Sequence, residues 1–203
     1  MATYEKDFLL RLYGGMVRVR RFEEKAADCF TKGMLAGNIH LCIGQEASVV
    51  GSNAALRPTD YITSTHRGHG HCSAKGAELD RALAELMGKA TGYCKGRSGS
   101  MHIADFSKGN LGANAIVGGG IPIATGGALG LKMQNKPHVA VAFFGDGASN
   151  QGTFHESINM AAAWNLPIVY IIENNLFGIS VDIRRVTKEH DLYKRAEGYG
   201  IPG

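Results

Sequence analysis

One carboxylate and one carboxamide, the latter from an Asn-Asn pair, stand in this 203-residue chain where a hard cation could be held. Asp146 follows the apolar run HVAVAFF at 138–144, and Asn174 and Asn175 follow a second run, LPIVYII, at 166–172. Between them TFHESINMAAAW, at 153–164, has helical spacing. The runs therefore read as parallel strands joined by a helical crossover. Both polar ends then reach the carboxyl edge of one sheet, where open α/β folds bind ligands. Oxygen donors of this kind suit magnesium, which takes few protein ligands and completes its octahedron with phosphate and water. Gly147 and Ala148 are expected to open the following helix, where small residues expose backbone N–H groups to a phosphate. The combined expectation is a metal–diphosphate site.

Each half of this pattern has an ordinary explanation. Gly-Asp-Gly makes a tight turn, and Asn-Asn after a strand is common turn chemistry. Their occurrence at matching ends of two apolar runs is what favours a ligand. Other phosphate fingerprints are missing: no GxGxxG follows a strand, and there is no GxxxxGK[ST]. The segment HRGHGH offers three imidazoles, His66, His69 and His71. Zinc needs three or four soft or imidazole ligands with a supporting shell. A glycine-punctuated loop favours phosphate contact and loop hydrogen bonding instead. His40 is the candidate for proton transfer, set against a satisfied core histidine. His102 and His155 read as structural, His138 and His190 as exposed.

The elements that carry these residues follow from periodicity. Phe8, Leu9, Leu12, Met16, Val19, Phe22 and Ala26 predict a helix over 4–32, closed by Gly33 and Gly37. Further helices are expected over 45–56, 78–88 and 122–134, and a short strand, YITST, over 61–65. HRGHGH reads as loop, and a glycine-rich stretch runs to about 120. The two longer strands are apolar throughout, the pattern of strands buried on both faces. The fold class is α/β, a mainly parallel sheet with helices on both faces, preceded by an N-terminal helical arm. The arm is expected over 1–57 and the α/β domain over 58–203.

Composition excludes several classes. With 44% hydrophobic and 20% charged residues, the chain is neither disordered nor collagen-like. Its 28 glycines are about twice the usual share and lie between apolar runs, implying tight turns and close backbone approach. A net charge of +4 on scattered basic residues makes no case for nucleic acid. No apolar run reaches membrane-spanning length, and MATYEKDF resembles neither a secretory signal nor an Arg-rich transit peptide. Cys29, Cys42, Cys72 and Cys94 show no CxxC spacing. Reduced thiols in the cytoplasm are expected, with neither a zinc site nor a disulfide framework.

GDG, then 26 residues, then NN resembles the thiamine-diphosphate signature. RVRRFEEKA, HLCIGQEA, THRGHGH, GRSGSMHI, NAIVGGGIP, GDGASNQGTFHESINMAA and IENN, in that order, resemble the alpha subunits of thiamine-diphosphate-dependent 2-oxo acid dehydrogenases. The likeness covers essentially the whole chain. STHRGHGHCSAKG leans toward the pyruvate and acetoin enzymes and away from the branched-chain one.

That resemblance implies the thiamine-diphosphate-binding fold, with thiamine diphosphate and Mg2+ as cofactors. It implies magnesium held by Asp146, Asn175 and the carbonyl of Phe177. Gly147, Ala148, Arg67 and His66 would contact the diphosphate, and backbone groups near Ala115 and Val117 the aminopyrimidine. Ile179 would be a wedge beneath the thiazolium, and His40 would lie near the reacting centre. His66 and Phe177 depart from the family, which often has tyrosine at both positions.

The implied reaction is decarboxylation of pyruvate, or cleavage of acetoin, with transfer of the acyl group to a lipoyl carrier. A beta subunit, in an alpha2beta2 heterotetramer, would supply the glutamate that protonates the pyrimidine. A lipoyl acyltransferase would be the further partner. Nothing here matches the part of the family beyond YGIPG, so the chain reads as truncated and is expected to be inactive without the beta chain. A transketolase-like subunit and a non-catalytic binding or assembly module are the alternatives. IGQEA, HRGHGH and the short approach to GDG argue against the first.

Overall fold

The computed structural model of the protein describes residues 4–35 and 37–203. Met1–Thr3, part of the stretch read against a targeting signal, lie outside them. The chain forms two compact units, Met1–Pro58 with His66–Asn110, and Thr59–Thr65 with Leu111–Gly203.

The first unit is helical. α1 (Lys6–Thr31) buries Val19, Phe22, Glu23, Ala26 and Cys29. It ends where Gly33 takes φ +69°, and the Met34 amide reaches back to the Cys29 carbonyl. This is the left-handed glycine cap that closes many helices. α2 (Glu46–Asn53), α3 (His69–Ala74) and α4 (Leu79–Leu86) follow. Val19, Cys42 and Val50 form the core between α1, α2 and α3, with Leu12, Met16 and Ala74 against it. Gly70 permits this packing: a Cβ there would lie 2.6 Å from Cys42 Sγ. The reading of HRGHGH as loop is corrected accordingly, because His69–Ala74 is a short helix that no local periodicity announces. Its backbone is drawn into the core by that close approach.

The second unit holds a four-stranded sheet in the order β2-β1-β3-β4. The strands are β1 (Tyr61–Ser64), β2 (Asn110–Ala113), β3 (Ala140–Gly145) and β4 (Ile168–Glu173). β3 runs parallel to both β1 and β4, the α/β arrangement expected. β2 lies within the stretch read only as glycine-rich. α5 (Gly120–Met133) and α6 (Gly152–Ala163) cover the face carrying Ala140, Ala142 and Phe144. Val141 and Phe143 point the other way and are buried too. Burying the β3 side chains stabilises the sheet by roughly 1.5–3 kcal/mol for each large residue.

The expectation that both long strands are buried on both faces holds for β3 only. β4 is the last strand on its side of the sheet, and its residues are half-buried, with Val169 49% exposed. Beyond it come a hairpin, β5 (Phe177–Gly178) and β6 (Val181–Asp182), and a 3-10 helix, Leu192–Tyr199. No helix among the described residues is long and apolar enough to cross a membrane.

Candidate functional site

The crevice in the second unit is built by register. Gly145 pairs with Glu173 in the β3–β4 ladder, so Asp146 and Asn174–Asn175 leave the sheet at one level. Asp146 is 2% exposed, and its Oδ2 is buried without a hydrogen-bond partner. Burial pushes its carboxyl above the usual carboxylate range, against the backbone amides of Asp146, Gly147 and Asn175. A lone carboxylate oxygen buried at a strand end is costly unless a cation or proton meets it. Asn174 Oδ1 accepts the Leu176 amide at 3.2 Å, and Asn175 Oδ1 accepts the Phe177 amide at 3.0 Å. Each carboxamide oxygen keeps a second lone pair. These oxygens fit a hard divalent cation.

Gly147 and Ala148 sit close by, though not where expected. They lie in a 3-10 helix, Asp146–Asn150, and α6 begins only at Gly152. The tight turn keeps Asp146 in the crevice while the backbone bends toward α6. Arg195 ties this turn down, donating to the Ser149 carbonyl and, at 2.9 Å, to Asn150 Oδ1. The hairpin packs on the turn, with a Cβ at Gly147 meeting the Gly178 Cα at 3.7 Å. Its two-residue loop puts Ile179 at φ +57°, fully exposed. A β-branched residue there is strained, since such loops normally take Gly, Asn or Asp. Phe177 is also exposed. Ala115 is half-buried and Val117 exposed, just after an Asn114 side chain that accepts the Ile116 amide.

The first unit brings His40, His66 and Arg67 together. The rings of His40 and His66 meet edge to face with centroids 5.1 Å apart. Arg67 donates to the Leu41 carbonyl. Burial first, then the Arg67 charge, lowers the His40 pKa, and the same two causes in the same order lower that of His66. Both imidazoles are therefore neutral near pH 7. His40 Nδ1 is buried without a partner. Glu46 accepts the Arg20 guanidinium at 2.6 Å and the Gly44 amide at 3.1 Å. Of the remaining histidines, His102, His155 and His190 are exposed, and His138 is half-buried against Thr59.

Among the described residues the two wholly inaccessible carboxylates, Glu23 and Glu85, escaped the sequence reading. Glu23 is inaccessible and faces both Cys42 and His69. Glu85, also inaccessible, accepts the amides of Cys94, Gly96, Ser98 and Gly99 and the Ser98 hydroxyl. The available signal was a glutamate on the apolar stripe of a helix, one residue after Phe22 in α1 and one before Leu86 in α4.

Comparison with known proteins places this architecture. The chain belongs to the dehydrogenase E1 component family, whose model matches residues 14–203. The alpha subunit of acetoin:2,6-dichlorophenolindophenol oxidoreductase from Bacillus subtilis is 53% identical over 194 residues, 96% of this chain and 58% of that protein. The pyruvate dehydrogenase E1 component alpha subunit of Rhizobium meliloti is 41% identical over 203 residues, 100% of this chain and 58% of that protein. The chain thus spans 58% of the length of each of these relatives. Transketolase from Campylobacter jejuni superposes with a TM-score of 0.64 at 20% identity, over 94% of this chain and 32% of that one. That last likeness speaks to the fold alone.

Proposed function

We propose that the chain is the alpha part of a thiamine-diphosphate-dependent dehydrogenase acting on a 2-oxo acid such as pyruvate, or on acetoin. The observation that carries this reading is the buried, unpartnered Asp146 Oδ2 at the matching ends of β3 and β4. In this reading Asp146, Asn175 and the Phe177 carbonyl hold Mg2+, and Gly147 and Ala148 offer their backbone to the diphosphate. The residues near Ala115 and Val117 meet the aminopyrimidine, and the strained, exposed Ile179 supports the thiazolium. By the resemblance, His66 and Arg67 are further cofactor-binding residues, and His40, neutral with a free Nδ1, accepts or returns a proton. When bound, the cofactor supplies the carbon nucleophile that cleaves the bond beside the carbonyl.

The glutamate that protonates the pyrimidine is assigned to a beta subunit, in keeping with relatives that are named as alpha subunits. A lipoyl acyltransferase as acceptor and a cytoplasmic location complete the proposal. Calorimetric titration of thiamine diphosphate into the full-length chain assembled with its beta partner tests it. Binding should require Mg2+ and should disappear in Asp146→Ala. Metal-independent binding, or unchanged affinity in the variant, would refute the assignment.

A further inference from the structure

We propose that Glu23 and His69 are positioning residues for His40, acting through the hydroxyl of Ser100. The proposal rests on the reading of His40 as the proton-transfer group. The side chains of Glu23 and His69 are both 0% exposed. Glu23 Oε1 accepts the Cys42 thiol at 3.1 Å, and Oε2 faces His69 Nδ1 at 3.1 Å. Across the ring, His69 Nε2 lies 2.9 Å from Ser100 Oγ, which accepts the main-chain N–H of His40 at 3.3 Å.

The direction of the relay follows from counting protons. A carboxylate only accepts, so the proton between Glu23 and His69 belongs to Nδ1. Ser100 has one hydroxyl proton, and its oxygen already accepts from His40. Among the described residues the acceptor within its reach is His69 Nε2. Donation therefore runs in one sense, from the His40 amide to Ser100, from Ser100 to His69, and from His69 to Glu23. Every proton is used once.

Ser100 is also approached from its other side, because Ser98 and Gly99 are bound to Glu85. The relay ends on the backbone of His40 itself and leaves Nδ1 of that residue unpartnered. A buried polar network of this kind is not needed for stability, since well-packed apolar residues of similar volume are often as stable. What it supplies is a fixed position, and a displacement of about 1 Å at a reacting group can cost up to about 10²-fold in rate.

The test has two arms. Long-range 1H–15N spectra of the histidine-labelled full-length chain should show His69 with its proton on Nδ1 and none on Nε2. A proton on Nε2 overturns the relay, whatever the activity. In the full-length chain assembled with its beta partner, Ser100→Ala should lower turnover about tenfold at unchanged cofactor affinity. Ser100→Thr, which keeps the hydroxyl, should restore it. Undiminished turnover in Ser100→Ala, equal loss in Ser100→Thr, or loss of cofactor binding along with turnover each overturns the proposal. If the unsubstituted assembly turns over neither pyruvate nor acetoin, the proposed function falls instead, and the spectra still decide the relay.

Discussion

Gly145 lies directly opposite Glu173 in the parallel β3–β4 ladder. Because a parallel pair keeps its register to the strand ends, the next residues of both strands emerge side by side. Asp146 is one of them, and the Asn175 amide is among the groups acting on its carboxylate. This single alignment turns a sequence separation of 29 residues into a shared crevice.

Asp146 should make the cation-free chain less stable as pH rises. Burial raises its folded-state pKa above the unfolded value. The folded state then holds the proton more tightly, so stability declines as pH climbs from the unfolded pKa through the folded one. Above that window Asp146→Asn should melt at or above the unsubstituted chain, by up to about 5 °C, and should lose any stabilisation by Mg2+. Thermal melts across pH, with and without the metal, check this.

Ile179 should be replaceable with a gain in stability. An L-residue in the left-handed region costs roughly 1–2 kcal/mol, and a wholly exposed side chain recovers little by packing. Ile179→Gly should stabilise the chain by about 1 kcal/mol once the extra freedom of an unfolded glycine is subtracted, which raises the urea midpoint. If Ile179 serves the cofactor, the same variant should lose activity in the assembled enzyme. A lower midpoint would show that the hairpin is not strained there.

Glu85 should prove indispensable to the segment Cys94–Gly99. Glu85→Ala leaves several part-buried donors without their shared, buried acceptor and should destabilise the chain by about 3 kcal/mol. Burial pushes this carboxyl up, but the amides of Gly96, Ser98 and Cys94 and the Ser98 hydroxyl outweigh it and hold the pKa below the usual range. Its stabilisation is therefore present above the unfolded pKa and is lost as pH falls through the folded one. Hydrogen exchange at residues 94, 96, 98 and 99 should accelerate in the variant at neutral pH.

The thiols should label in a fixed order. Cys29, Cys42 and Cys72 are buried, whereas Cys94 is only half-buried. Burial pushes the Cys72 thiol up to about 12, and burial with the Glu23 charge pushes Cys42 higher still. The thiolate is the reactive form. Iodoacetamide at pH 8 should modify Cys94 first and the other three only in denaturant, as peptide mass spectrometry can read. Fast labelling of Cys42 in the native chain would contradict its placement.

The parts of the fold written in unbroken apolar runs were legible beforehand. HVAVAFF, the helix after it and LPIVYII need only local pattern to be read as strand, helix and strand, and Asp146 and Asn175 follow from their ends. Elements that depend on distant partners were not. α3 forms where Gly70 lets the chain pass Cys42, 28 residues away in sequence, and β2 is a four-residue strand with glycine inside it. The hairpin at Ile179 breaks the turn rule that would have revealed it. Nor does an apolar run say whether a neighbour covers it, which is why β4 turned out half-exposed.

What the sequence by itself determined was the class of chemistry: residue types, their spacing and their order are enough to specify a carboxylate, a carboxamide and a glycine turn at a sheet edge. Only the tertiary structure decided which polar atoms are left over. Glu23 and His69 are 46 residues apart and satisfy one another, while Asp146 Oδ2 and His40 Nδ1 remain buried and unpaired. Whether a buried polar atom is satisfied depends on every group that folding brings within about 3 Å of it, and that is a property of packing, not of spacing.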